Sequence, residues 1–178
     1  MIQDIVRTTD PRIRIKSKPV VKVDKKISQL IKDLKETLKA QLDPEGVGLA
    51  APQIGKNVQA FVMLDDDKVR VVMNPKILKL SSKLQNPKNK NGRTVMEGCL
   101  SLPHYYGPIK RAREITIEYL NENGEVVTET FTGLTAQIVQ HEIDHLNGTV
   151  FVDRLLEQGK PLYEYKNVSG RPAGPGRH

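Results

Sequence analysis

The segment TGLTAQIVQHEIDHLNG (residues 132–148) decides how the rest of the chain is read. His141, Glu142 and His145 spell H-E-x-x-H, which on a helix turns two imidazoles toward one ion and sets a carboxylate beside them. Thr132 is a suitable N-cap and Gly148 a suitable stop, so the spacing predicts a helix between them. Leu134, Ile138, His141 and His145 then share one face of that helix. Its histidine end runs directly into an apolar end, so an apolar pocket should adjoin the metal. Two histidines do not complete a catalytic metal site, and a third ligand must come from elsewhere.

Three sources of that ligand can be weighed. The metzincin pattern, H-E-x-x-H-x-x-G-x-x-H, matches at Gly148 but puts Phe151 at the third histidine, and a phenyl ring cannot ligate. Other zinc peptidases take a glutamate from a later helix; Glu157 and Glu164 are the candidates, in segments without a clear helical stripe. The remaining soft ligand is Cys99, in MEGCLSLP (96–103). One thiolate and two imidazoles leave a tetrahedral ion an open position for water, and the polarisable sulfur suits Fe(II) or other late divalent ions as well as zinc. Read by itself, a lone cysteine is equally an inert, buried apolar residue.

The remaining elements follow from periodicity and turn chemistry. KKISQLIKDLKETLKAQL (25–42) carries an apolar stripe through Ile27, Leu30, Ile31, Leu34, Leu38 and Leu42, with Asp24 as its expected N-cap and Pro44 with Gly46 as its stop. VQAFVML (58–64) and VRVVM (69–73) are expected to pair around an acidic turn, and EITIEYL (114–120) with EVVTETF (125–131) around Asn123-Gly124, a two-residue hairpin signal. SSKLQNPKNKNGRT (81–94) has one apolar residue and is expected to be a mobile surface loop. His104 is expected in a surface loop, and His178 in a tail without function.

At 178 residues the chain fits one domain, expected over 1–157, with a Gly/Pro-rich extension over 158–178 expected to be flexible. A single cysteine excludes an internal disulfide framework and favours a reducing compartment. No apolar run approaches the roughly 20 residues that cross a bilayer, and the first residues lack the apolar core of a secretory signal. A cytoplasmic protein without membrane contact is expected, or one in an organelle matrix whose targeting segment has been removed. The net charge of +7 admits a polyanionic partner, RNA included, but equally a solvated basic surface. The basic residues are scattered and no motif with stacking aromatics is present, so direct sequence-specific nucleic-acid binding is not expected.

Three motifs, GVGLAAPQIG (46–55), EGCLS (97–101) and QHEIDHLNG (140–148), resemble in order and spacing the signature motifs of the peptide deformylases, and DPRIRIKSKPV (10–20) is similar to that family's N-terminal segment. The resemblance covers about residues 5–156. It implies an α+β fold, with antiparallel sheets packed around a central helix bearing H-E-x-x-H and with an N-terminal amphipathic helix. It implies Cys99, His141 and His145 as metal ligands, Fe(II) as the physiological ion, and zinc, nickel or cobalt in isolated protein. The activity implied is removal of the formyl group from the N-terminal formyl-methionine of nascent chains, with release of formate.

The resemblance also assigns roles. Glu142 would move the proton, while the Gln53 side chain and the Leu100 backbone N–H would stabilise the oxyanion. Backbone near Gly46, Val47 and Gly48 would pair with the substrate peptide like an added strand. Val47, Leu134 and Ile138 are the candidate lining of the methionine pocket, and Glu97 would pair with Arg111. Segment 81–94 has no clear counterpart in the family. Some members end in a basic helix that docks on the ribosome; here the Gly and Pro content argues against a long helix, so ribosome contact rests on net charge and substrate logic. Two other readings stay open: a metallopeptidase cutting internal bonds, with a ligand such as Glu164, and a non-catalytic metal-binding module.

Overall fold

The computed structural model describes residues 1–65, 68–86, 92 and 94–165. In chain order its elements are α1 (Lys25–Lys39), β1 (Gly48–Ala50), β2 (Ala60–Asp65), β3 (Lys68–Leu80), β4 (Leu84–Gln85), β5 (Glu97–Cys99) and β6 (Leu102–Gly107). They continue as β7 (Arg111–Ala112), β8 (Glu114–Leu120), β9 (Val126–Thr132), α2 (Gly133–Leu146), α3 (Phe151–Glu157) and β10 (Tyr163–Glu164). All strand pairs within the sheets are antiparallel, so the α+β expectation holds.

The main sheet has five strands in the order β1-β2-β3-β8-β9, and β1 forms one of its edges. The unbroken apolar run in β2 reflects burial on both sides. Phe61 and Met63 join the cluster under α2, with Ile115, Ile117, Ile138 and Ile143. Ala60 and Val62 join the cluster under α1, with Leu30, Ile31, Leu34 and Leu38. Alternation along a strand sends successive side chains to opposite faces, so one sheet separates two cores. At the start of α1 the Asp24 carboxylate accepts the Lys26 and Ile27 N–H groups at 2.9 and 3.0 Å, satisfying two donors the first turn leaves free. A three-stranded sheet, β10-β6-β5, carries Cys99 at the end of β5, and β4 pairs with β7.

Several expectations are corrected. Helix α1 stops at Lys39 instead of residue 42, and Leu42 is exposed. Strand β3 runs on to Leu80, past Asn74, whose φ of 51° and side-chain bonds to both Val20 backbone groups hide the strand behind an apparent break. The β8–β9 connection is longer than two residues. The Asn121 side chain accepts from the N–H groups of Asn123 and Glu125 at 3.0 Å each, and Gly124 takes a φ of 80°. Within the expected loop 81–94, Leu84–Gln85 is strand; residues 87–91 and 93 lie outside the described residues. Helix α3 was not expected, because Phe151 and Leu155 are its only buried residues and seven residues show little periodicity. Of the expected flexible extension, residues 158–165 are described and include β10, while 166–178, His178 among them, lie outside.

Leu34 is fully buried in the core between α1 and the sheet. Leu34→Ala is expected to destabilise the protein by about 2–5 kcal/mol in denaturant unfolding, with metal content per folded chain unchanged.

Candidate metal centre and active site

Helix α2 places His141 and His145 one turn apart, with the ring centroids 4.9 Å apart and the two Nε2 atoms at 3.2 Å. From β5, the Cys99 Sγ reaches to 3.2 Å of His145 Nε2. All three residues are buried, and their ligand atoms lie within 4.8 Å of one another. A tetrahedral ion with bonds of about 2.0–2.3 Å holds its ligand atoms roughly 3.3–3.6 Å apart, so the donor set fits a late divalent cation. Burial, reinforced by His141, lowers the His145 imidazole well below the usual histidine range, which keeps it in the neutral, ligating form. Burial also acts to lower His141, but the Cys99 and Glu97 groups outweigh it and hold that imidazole well above the usual range. Electron-rich partners that favour a proton there favour a metal cation for the same reason.

Glu142 projects beside the three donors, and its Oε2 is buried without a hydrogen-bond partner among the described residues. Burial pushes its carboxyl up to about 7. The absence of a side chain at Gly48 makes its position possible: a Cβ there would stand 2.3 Å from Glu142 Oε1. Gln53 is fixed at both ends of its amide. Its Oε1 accepts the Ala50 N–H at 2.8 Å, which turns its Nε2 toward Ser101 Oγ at 3.2 Å and Cys99 Sγ at 3.5 Å.

Gly46, Val47, Gly48, Leu100, Leu134 and Ile138 line a cavity of about 150 Å³ that reaches His141 and Glu142. Ile138 is buried, whereas Val47 and Leu134, 39% and 36% exposed, stand at the mouth. The structure thus brings the residues that the family resemblance named for the site to one place. His104 is a correction: it lies on β6 with a φ of 67° and borders this cavity instead of occupying a surface loop. The glutamates considered as third ligands stand apart from the three donors. Glu157 accepts from Arg154 at 2.9 Å at the surface, and Glu164 from the Tyr105 hydroxyl at 3.3 Å.

Behind the ligands lies a buried ionic cluster of which the sequence reading held only the Glu97–Arg111 pair. Arg111 holds Glu97 through two hydrogen bonds, at 2.9 and 2.5 Å, and Glu97 Oε1 lies 2.7 Å from His141 Nδ1. Burial acts to raise the Glu97 carboxyl, but the Arg111 and His141 hydrogen bonds prevail and hold it at about 2. Asp144, Arg154 and Ser101 were missed. For Asp144 a signal existed: it is a charged residue between His141 and His145 on a helix whose other residues there are buried.

A family model described as polypeptide deformylase matches residues 2–161. The chain belongs to the polypeptide deformylase family. It is 44% identical over 153 residues to the peptide deformylase of Pseudothermotoga lettingae, an overlap of 86% of this chain and 82% of that protein. The crystal structure of peptide deformylase from Thermotoga maritima matches with a TM-score of 0.77 at 36% identity, over 86% of this chain and 97% of that one. A class I type b peptide deformylase from Acinetobacter baumannii, bound to Met-Ala-Ser, matches with a TM-score of 0.76 at 29% identity, over 86% of this chain and 98% of that one. The activity is that of the family, metal-dependent hydrolytic deformylation of peptides.

The fit of Gly48 against Glu142 is testable. Gly48→Ala is expected to displace the carboxylate and lower deformylation about 100-fold, since misplacement of about 1 Å costs that much. Metal content, measured by elemental analysis, should stay at the parent value.

Proposed function

We propose that this deformylase acts on the N-terminal formyl-methionine of nascent chains, with Cys99, His141 and His145 holding Fe(II) and Glu142 moving the proton. The single observation that carries the reading is the approach of Cys99 Sγ and His141 Nε2 to His145 Nε2 at 3.2 Å, beside a buried carboxylate. Bound there, a divalent cation supplies Lewis acidity and brings the acidity of water near neutrality. The thiolate and imidazoles suit Fe(II), and also zinc, nickel or cobalt in isolated protein.

Glu142 accepts the proton of the attacking water and returns it to the amine as the carbon–nitrogen bond breaks, leaving formate and a free N-terminus. A carboxyl held at about 7 by burial suits both halves of that transfer. The Gln53 amide and the Leu100 backbone N–H donate to the formyl oxygen as charge develops on it. Strand β1 is the open edge of the main sheet, so backbone from Gly46 to Gly48 can pair with an extended peptide and read little of its sequence. The methionine side chain enters the cavity of Val47, Leu134 and Ile138.

Residues 1–157 form the catalytic domain in this reading, and residues 158–178 an extension. The protein works in the cytoplasm, where formylated chains are made, and the ribosome is a partner through the net charge of +7. Salt-sensitive co-sedimentation with ribosomes supports that contact, and no association at low salt removes it.

The direct test is formate release from formyl-Met-Ala-Ser by protein purified anaerobically and reconstituted with Fe(II). Release is expected with this peptide and not with acetyl-Met-Ala-Ser; cleavage of internal peptide bonds instead would replace the reading with a peptidase. Cys99→Ala is expected to lose the metal. Glu142→Ala is expected to keep it and lose at least about 100-fold in turnover, the lower range for a proton-transfer group. Full activity in Glu142→Ala would remove that residue from the proton path.

A further inference from the structure

A row of alternating charges runs from His141 to the protein surface. His141 Nδ1 faces Glu97 Oε1 at 2.7 Å, and Glu97 takes Nε and Nη2 of Arg111 at 2.9 and 2.5 Å. The remaining Nη1 of Arg111 donates to Asp144 Oδ2 at 2.6 Å. Asp144 is then gripped by a second guanidinium, with Arg154 Nε donating to Oδ2 at 3.0 Å and Nη2 to Oδ1 at 2.6 Å. Glu97, Arg111 and Asp144 are buried, and only Arg154, its side chain 34% exposed, meets solvent.

We propose that Arg154 is a positioning residue for His141, acting through Asp144, Arg111 and Glu97. The inference rests on the reading of His141 as a metal ligand and extends it to a residue that touches neither metal nor substrate. Arg111 is one cation facing two buried carboxylates. Without a second guanidinium on Asp144, it would be shared between them, because a buried carboxylate left uncompensated is strongly unfavourable. With Arg154 on Asp144, the Nε/Nη2 edge of Arg111 stays flat against Glu97. A fixed Glu97 in turn holds the His141 ring by its Nδ1 side, leaving Nε2 toward the ion.

Helix α3 has the rigidity this role needs. Phe151 and Leu155 are buried with Cys99 and Ile109, and Leu155 packs on Gly107 so closely that a Cβ there would stand 2.5 Å from it. At the helix start Asp153 pairs with Arg14 and accepts the Val150 N–H at 2.9 Å. Arg154 is therefore delivered to Asp144 by the packing of its neighbours, and its planar fork transmits orientation as well as charge.

Charge and positioning predict opposite signs. Loss of a cation near the site makes it more negative and should slow metal release, whereas loss of positioning should speed it. The test uses the zinc-loaded full-length protein and follows zinc transfer to an excess of a chromogenic chelator, for Arg154→Leu and Arg154→Lys. Lysine keeps the charge but lacks the fork. Both variants are expected to release zinc about three- to tenfold faster, less than the 10–100-fold typical of groups bonded directly to a ligand. The cobalt-substituted proteins should show a shifted visible spectrum, and kcat for formyl-Met-Ala-Ser should fall with KM unchanged. Zinc release at or below the parent rate in Arg154→Leu overturns the inference. If that variant does not fold, Arg154→Lys decides: parent release and an unshifted cobalt spectrum overturn it. A parent protein that binds no zinc or cobalt would instead sink the metal-site reading, and this inference with it.

Discussion

A thiol, two imidazoles and two carboxylates are buried within a few hydrogen-bond lengths of one another, and the rest of the structure answers that constraint. Each buried charge costs several kcal/mol unless it is paired or bound to a cation. Glu97 is compensated by Arg111 and by His141. Cys99 Sγ and the two Nε2 atoms face one another at a spacing that suits a divalent cation. Glu142 Oε2, like His145 Nδ1, is buried without a hydrogen-bond partner among the described residues, and burial raises the Glu142 carboxyl to about 7.

Three separate pieces of chain must meet for this arrangement to exist. Helix α2 carries both histidines and Glu142, β5 the Cys99 thiol, and the turn after β1 the Gln53 amide. The main sheet supplies the frame, because β2 buries both faces and is gripped by α1 on one side and α2 on the other. With β2 held in this way, its partner β1 stays beside helix α2 and, among the described residues, forms an edge of the sheet. Gly48 then matters by what it lacks, since a methyl group would collide with Glu142.

Much of this was legible in the residues. The helix from Thr132, the shared face of Leu134, Ile138, His141 and His145, and the apolar cavity beside the histidines follow from three- and four-residue spacing, which a helix converts directly into geometry. The hairpin partners and α1 were legible for the same reason: period and caps are local. The misses share a cause as well. Strand β3 continues through Asn74 because its side chain satisfies the Val20 backbone, a contact across 54 residues of sequence. Helix α3 is set by Phe151 and Leu155 packing beneath Cys99, which no local pattern announces. His104 reads as a loop residue until the pairing of β5 and β6 carries it to the cavity.

What the sequence by itself determined is the candidate set: an H-E-x-x-H helix names two imidazoles and a carboxylate by residue type, while Cys99 in EGCLS and Gln53 after a Gly-rich turn acquire roles only through the resemblance of their motifs to a family. Only the tertiary structure decided which cysteine-to-histidine distances result, that Gln53 has its amide oxygen tied to Ala50, and that Asp144 joins Arg111 to Arg154. The physical reason is range. Helix and strand periods act over a few residues, whereas ion pairs and core contacts join residues tens of positions apart, and their partners are selected by packing and by the cost of leaving a buried charge alone.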